Sequence, residues 1–276
     1  MYMRRLVNVY EFFSKRPKEI EEKIIERWEP SKVHENVFSS DEISKLISIF
    51  KKSPKTSNMT IQNKMFDDYL NSKGEIENYE KPRPGQSATA CSAPVCWDEG
   101  SKEILDPVVR NCVGDYKIVG GTFNLLMGPY RLHTDSGRLP ESKIFKQIII
   151  PLHWDFSVNV YSILYDQRWT GCQARFQRGV PEQSEEAFNT STHMTIKEYE
   201  TSDIYNLTKK DFNLDDYNAY CSHINYESLW GFSIERAAKW EPKSLIAYDR
   251  SVIHSSDHFK SIKNKLFITL VTEQAE

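Results

Sequence analysis

The chain has 276 residues, with 36 lysines and arginines against 39 aspartates and glutamates, and a formal charge of −3 at pH 7. This near balance argues against a basic nucleic-acid-binding protein. With 39% hydrophobic and 12% aromatic residues, the chain can bury a sizeable core, which excludes a disordered protein. Because aromatic side chains fit pleated sheets, the composition favours β-structure.

Two features concern the cellular compartment. No apolar run approaches the roughly 20 residues that span a bilayer, and the first residues lack the apolar stretch and cleavage site of a signal peptide. The cysteines are odd in number and lack the CxxC spacing of zinc sites, which indicates reduced thiols. They are Cys91, Cys96, Cys112, Cys172 and Cys221. We therefore expect a cytoplasmic protein without a membrane partner.

The first 115 residues are predicted to be helical and irregular. Residues 11–28 carry apolar side chains at near-helical spacing, and Pro30 ends that pattern. Ser39 followed by Glu42 three residues later is a capping-box pattern, and it precedes a helix with one apolar stripe. Residues 71–101, with proline, serine and glycine, predict a long irregular connection. A third helix is predicted over residues 101–113, interrupted by Pro107.

From Tyr116 onward the sequence changes to short runs rich in valine, isoleucine, phenylalanine and tyrosine. These runs are YKIVGGTFNLLM, KIFKQIIIPLHW, NVYSILYD, WGFSIER, KSLIAYD and KLFITLVTE. Strands at this density without intervening helices predict an antiparallel sandwich or barrel. Residues 179–228 are too long for a turn and predict a lid or substrate-binding insertion. We expect a mostly β, α+β protein in which residues 1–115 support a core of residues 116–276 as one integrated domain.

Two histidines begin an H-x-D triplet, His133 with Asp135 and His153 with Asp155. Residues i and i+2 of a strand point to the same face, so an imidazole and a carboxylate can reach one metal ion. A second imidazole from a later strand would complete a set of two histidines and one carboxylate. That set suits non-haem Fe(II), because it leaves positions open for other ligands.

The stretches GPYRLHTDSG at 128–137 and WEPKSLIAYDRSVIHSSDHF at 240–259 carry a family resemblance. They resemble the two metal-binding segments of the Fe(II)/2-oxoglutarate-dependent oxygenases, of prolyl hydroxylase-like and phytanoyl-CoA dioxygenase-like type. The resemblance covers roughly residues 116–272 and implies a double-stranded β-helix (jelly-roll) core. It also implies that His133, Asp135 and His254 are the catalytic residues that bind Fe(II).

The resemblance also implies a site for the cosubstrate 2-oxoglutarate. Lys265, eleven residues after His254, stands where the family has a basic residue that pairs with the far carboxylate of 2-oxoglutarate. Tyr130 and Thr269 are the other implied contacts. Asn124 departs from the family, because many relatives have a tyrosine there. Phe267 likewise lacks a hydroxyl that some subfamilies use, for which Thr269 is a substitute.

The activity implied by the resemblance is that of a dioxygenase. Such an enzyme uses O2 and 2-oxoglutarate to hydroxylate an unactivated C–H bond, and it releases succinate and CO2. Asp135 argues against a halogenase, since those relatives lack the carboxylate. The substrate would be a small molecule or a peptide, and nucleic acid is not expected as a partner. The alternatives are a cupin-like metal-dependent hydrolase or isomerase, with zinc or manganese, and a non-catalytic jelly-roll binding module.

Other histidines compete for the metal. The pair His153 and Asp155 follows an apolar run, which indicates a packed histidine at the end of a buried strand, so it is the second choice. His258 lies four residues after His254 and could replace it, although the family-like segment leads to His254.

Further charged and aromatic residues allow more than one interpretation. Lys263 would point to the same face of a strand as Lys265 and is the alternative partner of the cosubstrate. Lys265 is preferred because it is the first residue of the apolar strand. Arg131 and Arg250, beside the proposed ligands, either contact substrate or bridge acidic neighbours. Trp169 is interpreted as a core or rim aromatic.

Overall fold

The computed structural model describes residues 16–53, 89–94, 100–126, 129–137, 142–176, 195–197, 204–258 and 265–275. Three helices of at least two turns lie within these ranges, α1 (Lys18–Glu26), α2 (Ser40–Lys52) and α3 (Lys102–Val113). Helix α1 begins directly after Pro17, so it is shorter than the predicted range 11–28, whose first five residues lie outside the described ones. Proline is well suited to this place because it has no N–H to donate within a helix.

Helix α2 begins with the predicted capping box. The Ser39 hydroxyl accepts the Glu42 backbone N–H at 3.2 Å, and the Glu42 carboxylate accepts the Ser39 backbone N–H at 2.7 Å. Two of the N–H groups that a helix start leaves unpaired are thereby satisfied. Leu46 and Phe50 of the apolar stripe are buried.

Helix α3 runs without a break through Pro107, where the sequence predicts an interruption. A proline inside a helix removes one backbone hydrogen bond. Here Leu105 and Val109, on either side of it, are fully buried against the sheet, and this burial offsets the loss. None of the helices in the described ranges is long and apolar enough to cross a membrane.

The described strands form three sheets. In chain order the strands are β1 (Lys32–His34), β2 (Thr89–Pro94), β3 (Tyr116–Leu126), β4 (Ile144–Trp154), β5 (Tyr161–Arg168), β6 (Ala174–Phe176), β7 (Thr195–Lys197), β8 (Ile234–Lys239), β9 (Leu245–Asp249), β10 (Val252–Ser256) and β11 (Lys265–Gln274). The large sheet has the order β1-β9-β4-β11-β3-β2, the small sheet β10-β5-β8, and β6 pairs with β7. All six predicted runs contain a strand.

The strand order confirms the predicted jelly-roll core. Eight core strands are counted along the chain as β3, the segment at His133, β4, β5, β8, β9, β10 and β11. In the large sheet the neighbours β3, β11, β4 and β9 are therefore the first, eighth, third and sixth of them. The small sheet continues this pattern, since an isolated bridge places His133 beside His254 at the outer edge of β10. The segment at His133, β10, β5 and β8 are thus neighbours, and they are the second, seventh, fourth and fifth core strands. Four strands of the large sheet, interleaved in this way with the three strands of the small sheet and the bridge at His133, form a double-stranded β-helix.

The core divides by sheet face. The outer face of the large sheet packs against α2 and α3 through Leu46, Leu105, Ile148 and similar residues. Between the two sheets lies a second apolar group that includes Ile149 and Leu164. This space between the sheets also contains the cavity described below.

Two further regions have features that the sequence did not predict. Strand β2 lies in the range predicted as irregular, and it pairs antiparallel with β3 at the sheet edge, where Pro94 is tolerated. Within the predicted insertion 179–228, the described part contributes Phe212 and Ile224 to a buried group on the outer face of the small sheet. That part is therefore packed core rather than an open polar loop. Its predicted role in substrate binding stays a prediction.

Candidate metal centre

Three of the predicted ligands come together between the sheets. Potential ligand atoms of His133, Asp135 and His254 all lie within 4.8 Å of one another. Backbone pairing brings the two histidines together, since each N–H donates to the other's carbonyl at 3.0 Å. Asp135 follows His133 by two residues outside the named strands, and its Oδ2 lies 4.0 Å from Nε2 of His133.

Backbone carbonyls orient both imidazoles. Nδ1 of His133 lies 2.7 Å from the Arg131 carbonyl, and Nδ1 of His254 lies 3.0 Å from the Val252 carbonyl. Because a carbonyl only accepts, each Nδ1 carries a proton, and each Nε2 is the ring nitrogen that faces Asp135. These Nε2 atoms lie 4.0 and 3.5 Å from Oδ2 of Asp135. A proton or a metal ion has to lie between each Nε2 and the carboxylate, and two imidazoles with one carboxylate are a donor set that fits a divalent metal ion.

Amide and guanidinium groups hold Asp135 in place. Gln147 donates Nε2–H to Oδ2 at 2.8 Å, and Gln173 donates to Oδ1 at 3.3 Å. Arg250 donates Nε–H to the Asp135 backbone carbonyl at 2.8 Å. Of the two roles predicted for Arg250, the structure places it as a brace of the carboxylate segment, because it is not among the residues that line the cavity.

The electrostatic surroundings keep Asp135 ionised. Burial alone would raise its pKa, but His254, His133 and Arg250 lower the pKa of Asp135 to about 2. Burial lowers the pKa of Arg250 to about 10, so this guanidinium is still protonated at neutral pH. A permanent negative charge at Asp135 favours a bound cation.

A cavity of about 240 Å³ opens beside the three residues. Both sheets contribute to its walls, which combine apolar side chains with hydroxyl and amide groups. Its lining includes Asn124, Tyr130, Gln147, Ile149, Trp240, Tyr248, Lys265, Phe267, Thr269 and Val271, together with His133, Asp135 and His254. A concave site of this composition suits a small ligand.

Lys265 places a buried cation in this cavity. It is 1% exposed, and its Nζ lies 3.4 Å from Oδ1 of Asp257 and 4.6 Å from the centre of the Trp240 ring. Burial lowers the pKa of Lys265, and Asp257 counteracts that effect. Asp257 is itself anchored, since its Oδ2 accepts the Tyr161 backbone N–H at 2.9 Å. Asp257, which does not line the cavity, therefore partly neutralises the charge of Lys265.

The other predicted cosubstrate contacts line the same cavity. The ring of Tyr130 packs 5.1 Å from that of His133, centre to centre. Asn124 donates Nδ2–H to the Thr269 hydroxyl at 3.1 Å. Phe267 packs edge-on against Trp240 at 5.2 Å. These residues share the cavity with Lys265, and their role in binding a cosubstrate stays a prediction.

The competing H-x-D triplet lies elsewhere. His153 pairs with Leu266, whose side chain belongs to the apolar group beneath the helices. The Asp155 carboxylate accepts the Ser157 backbone N–H at 2.9 Å and its hydroxyl at 2.6 Å and is exposed to solvent. Neither His153 nor Asp155 lines the cavity, which agrees with the interpretation of a packed histidine.

The remaining alternatives have different outcomes. His258 is half-buried and is not part of the described cluster of potential ligands. Lys263 lies outside the described residues. Trp169 is buried, as predicted, and donates its indole N–H to the Cys172 carbonyl at 2.6 Å. Half-buried Arg131 lies next to the ligands through its carbonyl, which accepts from His133.

Sequence reasoning missed two polar residues of the site. Gln147 and Tyr248 line the cavity, and each is 1% exposed. Burial raises the pKa of Tyr248 well above its usual value, and nearby Asp135 raises it further, so the phenol is protonated. One signal was present in the sequence, since Gln147 is a lone amide next to the apolar run of β4, where an unpaired polar group would be costly.

Comparisons with known proteins concern the fold. No family model matches the chain, and no curated protein matches it. Among similar solved structures, the non-heme alpha ketoglutarate dependent carbocyclase SnoK from nogalamycin biosynthesis is 10% identical, with a TM-score of 0.46 over 94% of this chain and 85% of that one. AviO1 from Streptomyces viridochromogenes is 9% identical, with a TM-score of 0.44 over 90% and 91%. HygX from Streptomyces hygroscopicus, with nickel and 2-oxoglutarate bound, is 10% identical, with a TM-score of 0.41 over 95% and 88%.

Proposed function

We propose that this protein is a non-haem Fe(II)/2-oxoglutarate-dependent dioxygenase that hydroxylates an unactivated C–H bond. The observation that carries the proposal is the convergence of His133, Asp135 and His254 within 4.8 Å on a cavity that also contains the buried cation of Lys265. Such a reaction needs two things from the protein, which are a set of metal ligands and, in the same cavity, a cation that can bind an anionic cosubstrate.

The three ligands fit iron in number and type. Two neutral imidazoles and one carboxylate would occupy one face of an octahedral ion and leave the other positions open. When bound there, iron supplies the redox chemistry with O2 that C–H hydroxylation requires. The chain's contribution is to orient these ligands. The carbonyls of Arg131 and Val252 direct both Nε2 atoms inward.

The cavity wall fits 2-oxoglutarate as the cosubstrate. Lys265 would pair with one of its carboxylates, and the Thr269 hydroxyl would donate to the same anion. A buried ammonium gains from such a partner because burial alone disfavours its charge. Tyr130, packed on His133, would limit the access of water to the ligand side.

The alternative proposal is a metal-dependent hydrolase or isomerase that uses zinc or manganese at the same three residues. The ligand set alone is compatible with that reaction class. Lys265 favours the oxygenase, because a hydrolase has no need of a buried ammonium in the cavity. In a non-catalytic binding module, neither inward-facing Nε2 atoms nor this ammonium would have a use.

The test is an anaerobic titration of the metal-free protein with Fe(II) and 2-oxoglutarate. We expect the weak visible charge-transfer band of the chelate, and succinate and CO2 once O2 is admitted. Zinc in place of iron should give neither signal. If the wild-type protein gives no band and no succinate, the oxygenase proposal is wrong, and hydrolytic turnover with Zn(II) would then support the alternative.

A matched pair of lysine variants tests the cosubstrate contact. Lys265→Met removes the buried cation and should weaken 2-oxoglutarate binding by about tenfold or more, since hydrogen bonds to charged groups contribute about 1.5–3 kcal/mol. Lys51→Met, on the surface of α2, should leave it unchanged. Equal losses in both variants would contradict the assignment of Lys265.

The class of substrate follows from the site only broadly. A small molecule or a peptide side chain can reach a concave site of this size, and the described residues of the wall do not concentrate basic groups for nucleic acid. Succinate production in the presence of candidate compounds of these classes, measured against uncoupled turnover, would identify the substrate.

A further inference from the structure

Two polar atoms in the cavity wall have no hydrogen-bond partner among the residues that the structure describes. They are Oε1 of Gln147 and the hydroxyl of Tyr248. Both side chains are 1% exposed and both line the cavity. Gln147 on β4 lies directly opposite Tyr248 on β9, so the two side chains leave the same face of the sheet next to each other.

The orientation of the Gln147 amide follows from its neighbour. Its NH2 group lies 2.8 Å from Oδ2 of Asp135, and the reverse orientation would set two acceptors against each other. Oε1 therefore points away from Asp135 and can only accept. A ligand that satisfies it must bring an N–H or O–H hydrogen.

The Tyr248 hydroxyl can both donate and accept. Beside an acceptor-only amide oxygen, it completes a pair that matches one group containing a donor and an acceptor. A hydroxyl group or a carboxamide meets this requirement. A carboxylate does not, because it has no hydrogen for Oε1 of Gln147 and its charge would be repelled there.

This pair is separate from the cation of Lys265. Val271 lies opposite Gln147 on β11, and Lys265 opens the same strand six residues earlier. At about 3.3 Å per residue, the two positions are roughly 20 Å apart along the strand. The cavity thus has an anion-binding part at Lys265 and a neutral polar part at Gln147 and Tyr248.

We propose that Gln147 and Tyr248 form a subsite that binds a neutral hydroxyl or carboxamide group of the primary substrate. The assignment of the occupant as substrate rests on the proposed oxygenase function, because 2-oxoglutarate would extend from the three metal ligands to Lys265 and its carboxylates have no hydrogen for Oε1 of Gln147. The subsite itself rests only on the two unpaired atoms, their burial and their register.

The experiment compares matched neutral and anionic probes on the Zn(II)-loaded full chain. Propionamide and its isostere propionate are titrated by saturation-transfer difference NMR with saturating 2-oxoglutarate, and 2-oxoglutarate affinity is measured separately by calorimetry. We expect propionamide to bind in preference to propionate. Tyr248→Phe should weaken propionamide roughly threefold to tenfold, the equivalent of one neutral hydrogen bond, without the same loss for 2-oxoglutarate.

Tyr226→Phe is the matched control, because its hydroxyl donates to the Phe212 carbonyl and does not line the cavity. It should change neither affinity. The proposal is overturned if propionamide fails to bind, which would leave only an ordered water there, if propionate binds as well, or if Tyr248→Phe weakens 2-oxoglutarate instead. If wild-type protein binds propionamide through Tyr248 but does not bind 2-oxoglutarate, the oxygenase function fails and the subsite stands.

Discussion

The chain contains the same three-residue pattern twice, in two different surroundings. In the first triplet, His133 and Asp135 face the space between the two sheets, where His254 joins them. In the second, His153 pairs with Leu266 on the helix side of the large sheet, and Asp155 is exposed to solvent. An H-x-D triplet therefore becomes a potential metal site only where burial and a third ligand accompany it.

The two carboxylates also show that a shifted pKa does not by itself mark a site. Burial opposes ionisation at Asp135, yet His254, His133 and Arg250 lower its pKa to about 2. At Asp155, hydrogen bonds from the Ser157 hydroxyl and backbone amide lower the pKa. One shift comes from charged groups that converge in a cavity, whereas the other comes from an ordinary turn at the surface.

The largest effect on Fe(II) affinity is expected when the aspartates of the two triplets are replaced. Asp135→Ala should lower Fe(II) affinity by more than about 100-fold, beyond the loss usual for outer partners of a ligand. Asp155→Ala should leave the affinity within about twofold, because an exposed surface carboxylate contributes little to a remote site. Anaerobic competition with a chromophoric chelator measures both. Similar affinities in the two variants would show that the first triplet is not the metal site.

A smaller loss of Fe(II) affinity is expected when the hydrogen-bond donors to the two carboxylates are removed. Gln147→Leu removes the amide that donates to Asp135 and should weaken Fe(II) binding by roughly 10–100-fold, as for other groups that orient a metal ligand. Ser157→Ala removes the hydroxyl that donates to Asp155 and should have no effect. The same chelator competition applies. An unchanged affinity in Gln147→Leu would mean that Gln173 and Arg250 suffice to position Asp135.

A smaller effect is expected at the counter-ion of Lys265. Asp257→Asn keeps an acceptor for the Tyr161 N–H but removes the charge that offsets the lysine. We expect 2-oxoglutarate affinity to increase roughly threefold to tenfold, because the anion no longer competes with a carboxylate in a site of low dielectric constant. Glu241→Gln, which breaks the exposed pair with Lys239, is the control. Calorimetry with Zn(II)-loaded protein measures both, and a weaker affinity in Asp257→Asn would contradict the expectation.

The smallest effect lies outside both triplets. Burial lowers the pKa of His223 from 6.5 to about 3, although its hydrogen bond to the Tyr130 carbonyl counteracts part of this. Between these values the unfolded chain binds a proton at this residue that the folded protein does not. Stability should therefore decrease as the pH falls below about 6.5, with a slope of up to about 1.4 kcal/mol per pH unit.

Urea unfolding of the wild type and His223→Gln across this pH range tests the assignment. The slope should be shallower in His223→Gln, because that variant has no imidazole to protonate on unfolding. His153→Gln is the control, since His153 is only half-buried and also has a lowered pKa, which predicts a smaller change in slope. Equal slopes in the wild type and His223→Gln would contradict a neutral buried His223.

Much of the fold is predictable from the sequence, because its signals are local. The capping box of Ser39 and Glu42 depends on residues three apart, and each strand run depends on its own side chains. The errors are non-local in origin. Strand β2 forms because β3 offers an unpaired edge, and α3 continues through Pro107 because Leu105 and Val109 are buried by distant residues.

For the site, the residue types and the spacing of two between His133 and Asp135 can be read from the sequence, because both are properties of the chain. It also contained His254 and Lys265 at family-like positions. Tertiary packing is what joins His133 to His254 through an isolated bridge, turns His153 toward the helices and sets Gln147 beside Tyr248. Those facts depend on which distant strands become neighbours, and the packing of two sheets decides that rather than any local spacing.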